Sequence, residues 1–456
     1  MTGQPSTPGV GLTYAQALEA LEARGRFGIR LGLGRTRALL ASLGNPERSV
    51  RGALVAGTNG KGSVLALADS ALRAAGYRVG TTPKPHLVSY RERIQVDGRP
   101  IGADDFGRLV GRVIDASRAI ASRHGEPTEF ELLTAVVFAR FAEVRPDLAL
   151  VEVGLGGRLD ATHAWDGGVT VVTNVALDHT DRLGGTVTAI AREKAAIIER
   201  GDLAVTGAAG DGLAVIRRRA RRLGVPLTEV RPAPLVGWDR DGIEVELPGL
   251  GRTRVGLRGR HQAANVAVAD ALLDALDEIG IAKTSSEARR AGYATAIWPG
   301  RLELLSVEGR DVLLDGAHNP AGAAALAVAL DDLQPFLADG PVTLITASMA
   351  DKDVDGVIAA LLASKVLAGA TVVCTGLDLP RAMSAPELAA RWRAQRTGGT
   401  IVAEPDPIAA IDRALVGNGA DNGPVVVAGS LYLVGAVRGH LVDDPDLRDP
   451  VRSEDA

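Results

Sequence analysis

The sequence predicts an α/β fold with parallel sheets, and three observations support this prediction. Short apolar runs with the length of buried strands alternate with amphipathic helical stretches along the chain. A Gly-rich turn joins the first of these runs, at residues 53–56, to a helical stretch that ends near Gly76. A Trp-Pro-Gly sequence at residues 298–300 interrupts the alternation, which then starts again, so we predict one domain over residues 1–297 and another over 298–456.

The remaining elements follow the same pattern in both predicted domains. In the first, apolar runs at 148–153 and 169–175 predict strands, residues 186–199 and 261–279 predict helices, and residues 225–260 form a Pro/Gly-rich, strand-like interval. In the second, strands are predicted near 311–315, 342–348, 370–375, 400–403 and 424–428. No Gly-x-Gly-x-x-Gly follows the first of these strands, so a dinucleotide site is not indicated.

The composition is that of an ordinary globular protein with small-molecule partners. Of 456 residues, 46% are hydrophobic and 23% are charged, and the net charge of −4 comes from interspersed charges of both signs. Neither a nucleic-acid nor a membrane-surface footprint is therefore indicated. The only cysteine, Cys374, excludes an intrachain disulfide and a thiolate zinc site. Because there is no leader-like N-terminus and no apolar run of about 18 residues, we expect a cytoplasmic protein.

The Gly-rich turn has the composition of a phosphate cradle. It consists of Gly57, Thr58, Asn59, Gly60, Lys61, Gly62 and Ser63. Glycines let backbone N–H groups approach phosphate oxygens, the following helix N-terminus favours anions, and the lysine supplies a positive charge. The spacing departs from the common P-loop, because Gly62 separates the lysine from the first hydroxyl. We predict a nucleoside triphosphate site, and the alternative is a turn that only connects strand and helix.

Two polar residues at the ends of apolar runs are candidate metal ligands. Glu152 interrupts the run 148–153, and His179 follows the run 169–175. Ligands of open α/β sheets bind beyond the carboxyl ends of the strands. We therefore expect both side chains near the phosphates, holding Mg²⁺ together with phosphate and water oxygens. The alternatives are an ion pair between Glu152 and an arginine, and a helix-capping or core role for His179.

These residues belong to a longer series of blocks. The blocks are Gly57 to Ser63, Glu152-Val-Gly-Leu-Gly-Gly-Arg-Leu-Asp-Ala-Thr162, Leu177-Asp-His-Thr180, Arg192-Glu-Lys-Ala195, His261-Gln-Ala-Ala-Asn265, Pro299-Gly-Arg301, Leu314-Asp-Gly-Ala-His-Asn-Pro320, Asp351-Lys-Asp353 and Gly429-Ser-Leu-Tyr-Leu433. In this order, over about residues 12–440, they resemble folylpolyglutamate synthase/dihydrofolate synthase, a branch of the Mur ligase superfamily. The resemblance implies an N-terminal P-loop ATPase domain of the Mur ligase type and a smaller, Rossmann-like C-terminal domain.

The resemblance also implies an activity, the ATP-dependent addition of L-glutamate to dihydropteroate or a folate through an acyl phosphate. It assigns the Gly-rich turn to the phosphates and Glu152 and His179 to metal, with two Mg²⁺ sites expected. Further residues are implied for the nucleotide (Asn265, Arg301 and Asp315), for the glutamate side (His318 and Ser430) and for the pterin acid (Arg35, Thr128, Phe130, Glu131, Leu159 and Asp160). Phe130 either stacks on a flat ring or belongs to the core. We expect a monomer.

Two lysines carry further expectations. Lys194, in the block Arg192-Glu-Lys-Ala195, matches the family lysine that CO₂ carbamylates, and the alternative is an exposed salt-bridge residue. Lys84, in Thr82-Pro-Lys-Pro-His-Leu87, stands where the family has a metal-ligating serine. Because an ammonium has no lone pair for Mg²⁺, either one metal is displaced or Lys84 points elsewhere, with Thr82 as a replacement hydroxyl.

Two other functions stay open at this point. One is a ligase of the same superfamily that acts on a different acid, such as another pterin or a cell-wall precursor. The other is an ATP-binding protein with impaired catalysis, which only Lys84 favours.

Overall fold

The computed structural model describes residues 11–25, 32–396, 398–416 and 423–450. Within these residues, no helix combines the length and apolar character that crossing a membrane requires. The helices before residue 298 are α1 (Tyr14–Gly25), α2 (Leu33–Ser42), α3 (Lys61–Ala74), α4 (Ala103–His124), α5 (Glu129–Val144), α6 (Thr180–Leu183), α7 (Val187–Ala195), α8 (Gly210–Leu223), α9 (Gln262–Glu278) and α10 (Ser286–Thr295). Those after it are α11 (Pro320–Leu333), α12 (Val354–Leu361), α13 (Lys365–Ala368), α14 (Ala385–Gln395), α15 (Pro407–Leu415) and α16 (Leu431–Leu441).

The strands form separate sheets on the two sides of residue 298. Those before it are β1 (Gly52–Ala56), β2 (Val79–Thr82), β3 (Gln95–Val96), β4 (Arg99–Pro100), β5 (Leu148–Glu152), β6 (Gly168–Val172), β7 (Leu203–Thr206), β8 (Leu227–Glu229), β9 (Leu235–Asp239), β10 (Gly242–Leu247) and β11 (Gly251–Val255). Those after it are β12 (Glu303–Val307), β13 (Arg310–Asp315), β14 (Thr343–Thr346), β15 (Thr371–Cys374), β16 (Ile401–Ala403) and β17 (Val425–Ala428).

The first sheet has the order β4-β3-β2-β5-β1-β6-β7-β8, and its neighbours are parallel from β2 to β8. Helices cover both of its faces, with α3, α9 and α10 on one face and α1, α2, α4, α5, α7 and α8 on the other. This explains why β1 and β5 read as continuous apolar runs. The register places Val55 opposite Glu152 and Ala56 opposite Val172, so the ends of β5, β1 and β6 meet at one edge.

Two predicted elements in this part end earlier than expected. The strand predicted at 169–175 ends at Val172, because the chain leaves the sheet there and Thr173 Oγ1 donates a hydrogen bond to Asn59 O at 2.7 Å. The helix predicted at 186–199 ends at Ala195. The strand-like interval forms an antiparallel sheet, β11-β10-β9, that packs on α9 and α10, while β8 joins the first sheet.

The sheet of the second part has the order β12-β13-β17-β14-β15-β16 and is parallel apart from β12. Helices α11 to α14 cover one face, and α15 and α16 cover the other. The five strands predicted here are confirmed. The sequence analysis did not predict β12, because this edge strand is only partly buried and a serine interrupts its apolar residues. The boundary at residue 298 stays a prediction.

Candidate active site

The Gly-rich turn connects β1 to α3, at the edge where the central strands end. Gly60 precedes α3 with φ of 79°, and a Cβ on it would lie 2.3 Å from Asn265 Oδ1. A Cβ on Gly62 would lie 2.6 Å from Trp298 Cζ2. Both positions therefore require glycine, and its absence of a side chain lets Asn265 and Trp298 pack directly on the turn.

The residues after β6 brace this turn. The main-chain N–H groups of Thr58 and Asn59 donate to the main-chain and side-chain oxygens of Asn174, at 3.1 and 3.0 Å. The Lys61 ammonium donates to Gly57 O at 3.1 Å and to Thr58 O at 3.2 Å. A lysine, glycine N–H groups and the N-terminus of α3 are thus held together, which is an arrangement suited to phosphate.

Glu152 ends β5 and is only 3% exposed. Its Oε1 lies 3.9 Å from Lys61 Nζ, and its Oε2 accepts a hydrogen bond from Lys84 N at 2.9 Å. Burial raises the pKa of Glu152, and the charge of Lys61 is the strongest influence in the opposite direction. Its ion-pair partner is therefore the lysine of the turn, and the alternative of a structural pair with an arginine is wrong.

His179 adopts φ of 49° and is the residue before α6. Its Nε2 lies 3.4 Å from Lys352 Nζ and 3.9 Å from Asp178 Oδ1. Because an ammonium only donates, Nε2 is the acceptor. Burial lowers the pKa of His179, Asp178 opposes this, and Lys352 and Lys61 add to it. His179 and Glu152 border the same cavity, and the described side chains show no hydrogen bond between the two.

The donor set fits a magnesium ion better than a metal held by protein ligands alone. Among the described residues, no three His, Cys, Asp or Glu side chains converge on one point. Mg²⁺ in nucleotide sites usually takes one or two carboxylates and completes its octahedron with phosphate and water oxygens. Glu152, a buried carboxylate beside the Gly-rich turn (Gly57 to Ser63, called the phosphate turn below), meets this requirement.

Lys194 lies on α7 and is 5% exposed, so the alternative of an exposed salt-bridge residue is wrong. Its Nζ donates to Gly57 O at 2.8 Å. Burial lowers the pKa of Lys194 to about 7, with a further contribution from the charge of Lys61. A substantial neutral fraction is therefore available near neutral pH, which is the form that reacts with CO₂.

Lys84 does not point at the phosphate turn. Its Nζ donates to the main-chain oxygen of Glu152 at 2.8 Å and lies 4.6 Å from the ring centroid of Phe130. Burial lowers the pKa of Lys84 to about 8, while Asp160 and Glu152 oppose this. Of the two alternatives, Lys84 thus points elsewhere. The Thr82 hydroxyl borders a small cavity next to Lys84 and has no partner among the described groups, so its role as a replacement ligand stays a prediction.

Most of the residues expected at the pterin acid border the large cavity, and Arg35 is the exception. Phe130, Leu159, Thr128, Glu131 and Asp160 all border the large cavity, and Phe130 is only half-buried, so its core alternative is wrong.

Several of these polar groups also serve the protein's own structure. Thr128 and Glu131 form a capping box at the start of α5, and Arg35 Nε donates to Glu131 Oε2 at 3.0 Å, so Glu131 and not Arg35 faces the cavity. Asp160 accepts from Leu155 N, Thr162 N and Thr162 Oγ1. The part of the matched segment 29–35 that precedes residue 32 lies outside the described residues.

Residues of the second part close the cavity from the other side. Asp315 accepts from Leu302 N and Ala317 N, both at 2.9 Å, and the charge of Arg301 lies close enough to oppose the rise in pKa that burial causes. His318 Nδ1 donates to Gly316 O at 2.8 Å, and burial lowers the pKa of His318 to about 4. Its ring is therefore neutral at physiological pH and keeps Nε2 as an acceptor. Ser430 caps α16.

Sequence reasoning missed the side chains that join the two parts. Asn319 Nδ2 donates to Asn59 Oδ1 at 3.2 Å and to Asp178 Oδ2 at 3.1 Å. Lys352 Nζ donates to Asp178 Oδ1 at 3.0 Å. Asn319 and Lys352 stand inside two of the matched blocks, and this was the only signal that they carried.

The phosphate turn, Phe130, Lys194, His318 and Ser430 all border one cavity of about 1180 Å³. This volume is enough for a nucleotide and a second substrate of similar size. The cavity is lined from both sheets, because the carboxyl ends of β1, β5 and β13 face it.

Comparisons with known proteins agree with this geometry. Residues 301–440 match the family model described as "Dihydrofolate synthetase, C-terminal domain". The chain is 35% identical to the dihydrofolate synthase/folylpolyglutamate synthase of Bacillus subtilis over 439 residues, covering 94% of this chain and 99% of that protein.

Solved structures give the same result. A Mycobacterium tuberculosis folylpolyglutamate synthase complexed with ADP has a TM-score of 0.82 at 31% identity, covering 95% of this chain and 100% of that one. The Escherichia coli FolC structure in complex with DHPP and ADP has a TM-score of 0.79 at 30% identity, covering 96% of this chain and 99% of that one. A bifunctional folylpolyglutamate synthase/dihydrofolate synthase with Mn, AMPPNP and L-glutamate bound gives 0.77 at 30%, covering 97% and 100%.

The two sheets and the cavity between them define an ATP-dependent ligase with the two-domain arrangement of the Mur ligase fold. Within this class, near-full coverage at 35% identity shows that the chain belongs to the dihydrofolate synthase/folylpolyglutamate synthase family.

Proposed function

We propose that this protein uses ATP to join L-glutamate to a folate-type carboxylate, that of dihydropteroate, of tetrahydrofolate, or of both. The observation that carries the proposal is the single cavity in which the phosphate turn, the half-buried Phe130 and the second-part residues His318 and Ser430 face one another. ATP, the acid and glutamate would each meet a different wall of that cavity. Relatives solved with ADP, DHPP and L-glutamate support this arrangement.

The nucleotide would bind between the two parts of the chain. In this proposal the turn Gly57 to Ser63 holds the phosphates through its N–H groups and Lys61. Asn265, which packs on Gly60, and Arg301 and Asp315 of the second part would hold the rest of ATP. The contacts of Asn319 and Lys352 with Asn59 and Asp178 would keep the two parts closed over the phosphates.

Glu152 and His179 would hold Mg²⁺, and carbamylated Lys194 would supply a carboxylate for a second metal position. Bound magnesium neutralises charge on the phosphates as the phosphoryl group is transferred. The surroundings of Lys194 favour carbamylation, because the side chain is buried, donates a hydrogen bond to the turn and has a lowered pKa. Lys84 would not compete for the metal, since its ammonium faces Phe130.

The pterin ring of the acid would lie against Phe130, bordered by Thr128, Glu131, Leu159 and Asp160. The acid's carboxylate oxygen would attack the γ-phosphorus, ADP would leave, and the glutamate amine would then displace phosphate from the acyl phosphate. His318 and Ser430 would position glutamate. Closure of the two parts would exclude water, which would otherwise hydrolyse the acyl phosphate.

The test is glutamate-dependent phosphate release from ATP by the purified protein, with dihydropteroate and tetrahydrofolate in separate reactions and products identified by mass. We expect release with at least one acid, and the acid that supports it defines the substrate. ATP binding without release on either acid would contradict the proposal and favour a different acid or a protein with impaired catalysis. We further propose that the protein is a cytoplasmic monomer with a domain boundary at residue 298. Sedimentation tests the oligomeric state, and limited proteolysis tests the boundary.

A further inference from the structure

Lys84 is held rigidly by one residue of the neighbouring strand. Its main-chain N–H donates to Glu152 Oε2 at 2.9 Å, and its Nζ donates to the main-chain oxygen of Glu152 at 2.8 Å. Pro83 and Pro85 flank it and restrict the loop that carries it. A side chain fixed at both ends in this way presents its charge at one defined point.

The ammonium of Lys84 retains hydrogen-bonding capacity at that point. An ammonium has three N–H donors, and within the described part of the chain one of them is engaged, by Glu152. The nearby carboxylate of Asp160 influences the charge of Lys84, but within the described residues its hydrogen bonds are to Leu155 and Thr162 and not to the ammonium. The remaining neighbour is the Phe130 ring, 4.6 Å away, which attracts a cation without accepting a directed hydrogen bond. Lys84 also borders the large cavity.

The position of Lys84 lies between the two ends of the proposed acid site. On one side, Glu152 connects it to Lys61 of the phosphate turn, 3.9 Å from Glu152 Oε1. On the other side is Phe130, which packs so closely on Gly154 that a Cβ there would lie 2.8 Å from its ring. An acid whose flat ring lies on Phe130 and whose carboxylate reaches the phosphates would extend past this ammonium, because Lys84 contacts both Phe130 and Glu152.

We propose that Lys84 binds the carboxylate of the acid substrate, an inference that rests on the proposed function. The protein would therefore bind the charged acid more tightly than an uncharged analogue. Its two remaining N–H groups would donate to the carboxylate oxygens. A fixed positive charge would also reduce the repulsion between the carboxylate and the γ-phosphate as they approach. The ammonium keeps all its protons while the carboxylate oxygen bonds to phosphorus and ADP leaves with the electrons of the broken P–O bond.

The test compares dihydropteroate with its carboxamide, which has the same ring system and no charge. Binding of each compound is measured by calorimetry in the presence of ADP, for the wild-type protein, Lys84→Met, Lys84→Gln and the exposed control Lys283→Met. We expect the wild type and the control to prefer the acid over the amide by roughly tenfold or more, the range of hydrogen bonds to charged groups. Both Lys84 variants should lose that preference and keep the wild-type affinity for ADP.

The outcomes separate the two proposals. Equal binding of acid and amide by the wild type, or an undiminished preference in Lys84→Met and Lys84→Gln, would overturn the role of Lys84 and leave the ligase activity standing. A wild-type protein that binds neither compound and releases no phosphate would overturn the proposed function together with this inference. Unchanged ADP affinity shows that a variant is folded, and Lys84→Gln retains one N–H donor for Glu152 if the methionine variant is unstable.

Discussion

Lys194 Nζ donates a hydrogen bond to the main-chain oxygen of Gly57, 2.8 Å away and 137 residues distant in sequence. The contact joins α7 to the first residue of the phosphate turn. It places an amine of lowered pKa, about 7, beside the turn that we propose binds the phosphates.

Carbamylation of Lys194 should make the activity depend on CO₂. We expect phosphate release to fall several-fold when bicarbonate and CO₂ are removed, and to return when they are added back. Lys194→Ala should lose activity by about 100-fold and recover part of it with acetate or formate, because these supply the missing carboxylate. Activity that is indifferent to CO₂, with a Lys194→Ala variant that carboxylates do not rescue, would argue for an unmodified lysine.

Lys61→Ala and Glu152→Gln should each lower phosphate release by roughly 100-fold or more, since a charge aimed at the transferring group acts mainly in the transition state. Lys61→Ala should also weaken ATP binding, because Lys61 is proposed to contact the phosphates. Lys365→Ala, on the exposed side of α13, is the control and should behave as the wild type. Steady-state rates and nucleotide affinity for the three variants provide the measurement. Either active-site variant retaining a third of the activity would contradict the assignment.

His86 should make the folded protein less stable as the pH falls. Its Nδ1 accepts from Arg93 Nε at 2.8 Å, and burial, followed by the charge of Arg93, lowers the pKa of His86 to about 3. Between pH 6.5, the ordinary pKa of histidine, and about 3, His86 is protonated in the unfolded chain but not in the folded chain. The free energy of unfolding therefore decreases as the pH falls from about 6.5 towards 3.

The variant His86→Asn keeps an acceptor for Arg93 but does not titrate. Between pH 7 and pH 5, the wild type should lose about 2 kcal/mol of unfolding free energy relative to this variant. Urea unfolding at the two pH values measures the difference. A difference between the two proteins that stays the same at both pH values would show that His86 is freely protonated in the folded state.

Asp449 should anchor the C-terminal segment to the first part of the chain. Its carboxylate accepts from Tyr14 Oη at 2.8 Å, Ser89 Oγ at 2.6 Å and Arg91 Nε at 3.1 Å, and the side chain of Arg91 is 7% exposed. Asp449→Ala would leave Arg91 with less compensation for its burial, so we expect a loss of about 2 kcal/mol.

The matched control for Asp449 is Asp443→Ala, which removes the exposed pair between Asp443 and Arg448 and should leave the melting temperature close to that of the wild type, because solvent screens exposed pairs. Thermal unfolding of both variants measures the contrast. Equal melting temperatures for the two variants would mean that the segment contributes no stability through Asp449.

The sequence was sufficient for features that depend on local pattern. The Gly-rich turn between strand and helix, the apolar strands β1 and β5, and the five parallel strands of the second part could all be predicted, because periodicity and glycine spacing are local properties. Glu152 could be identified as a candidate because a carboxylate inside an apolar run must have a compensating partner. The order of the blocks indicated the family.

Only the tertiary structure decided which groups those residues meet. Glu152 pairs with Lys61 and not with an arginine, Arg35 lies behind Glu131, and Lys84 turns from the phosphates towards Phe130. These partners are distant in sequence, and their pairing depends on strand order, register and helix packing, which a linear pattern does not contain. The burial that lowers the pKa values of Lys84, Lys194 and His318 arises in the same way, because it is a property of the packed cavity wall and not of the residue.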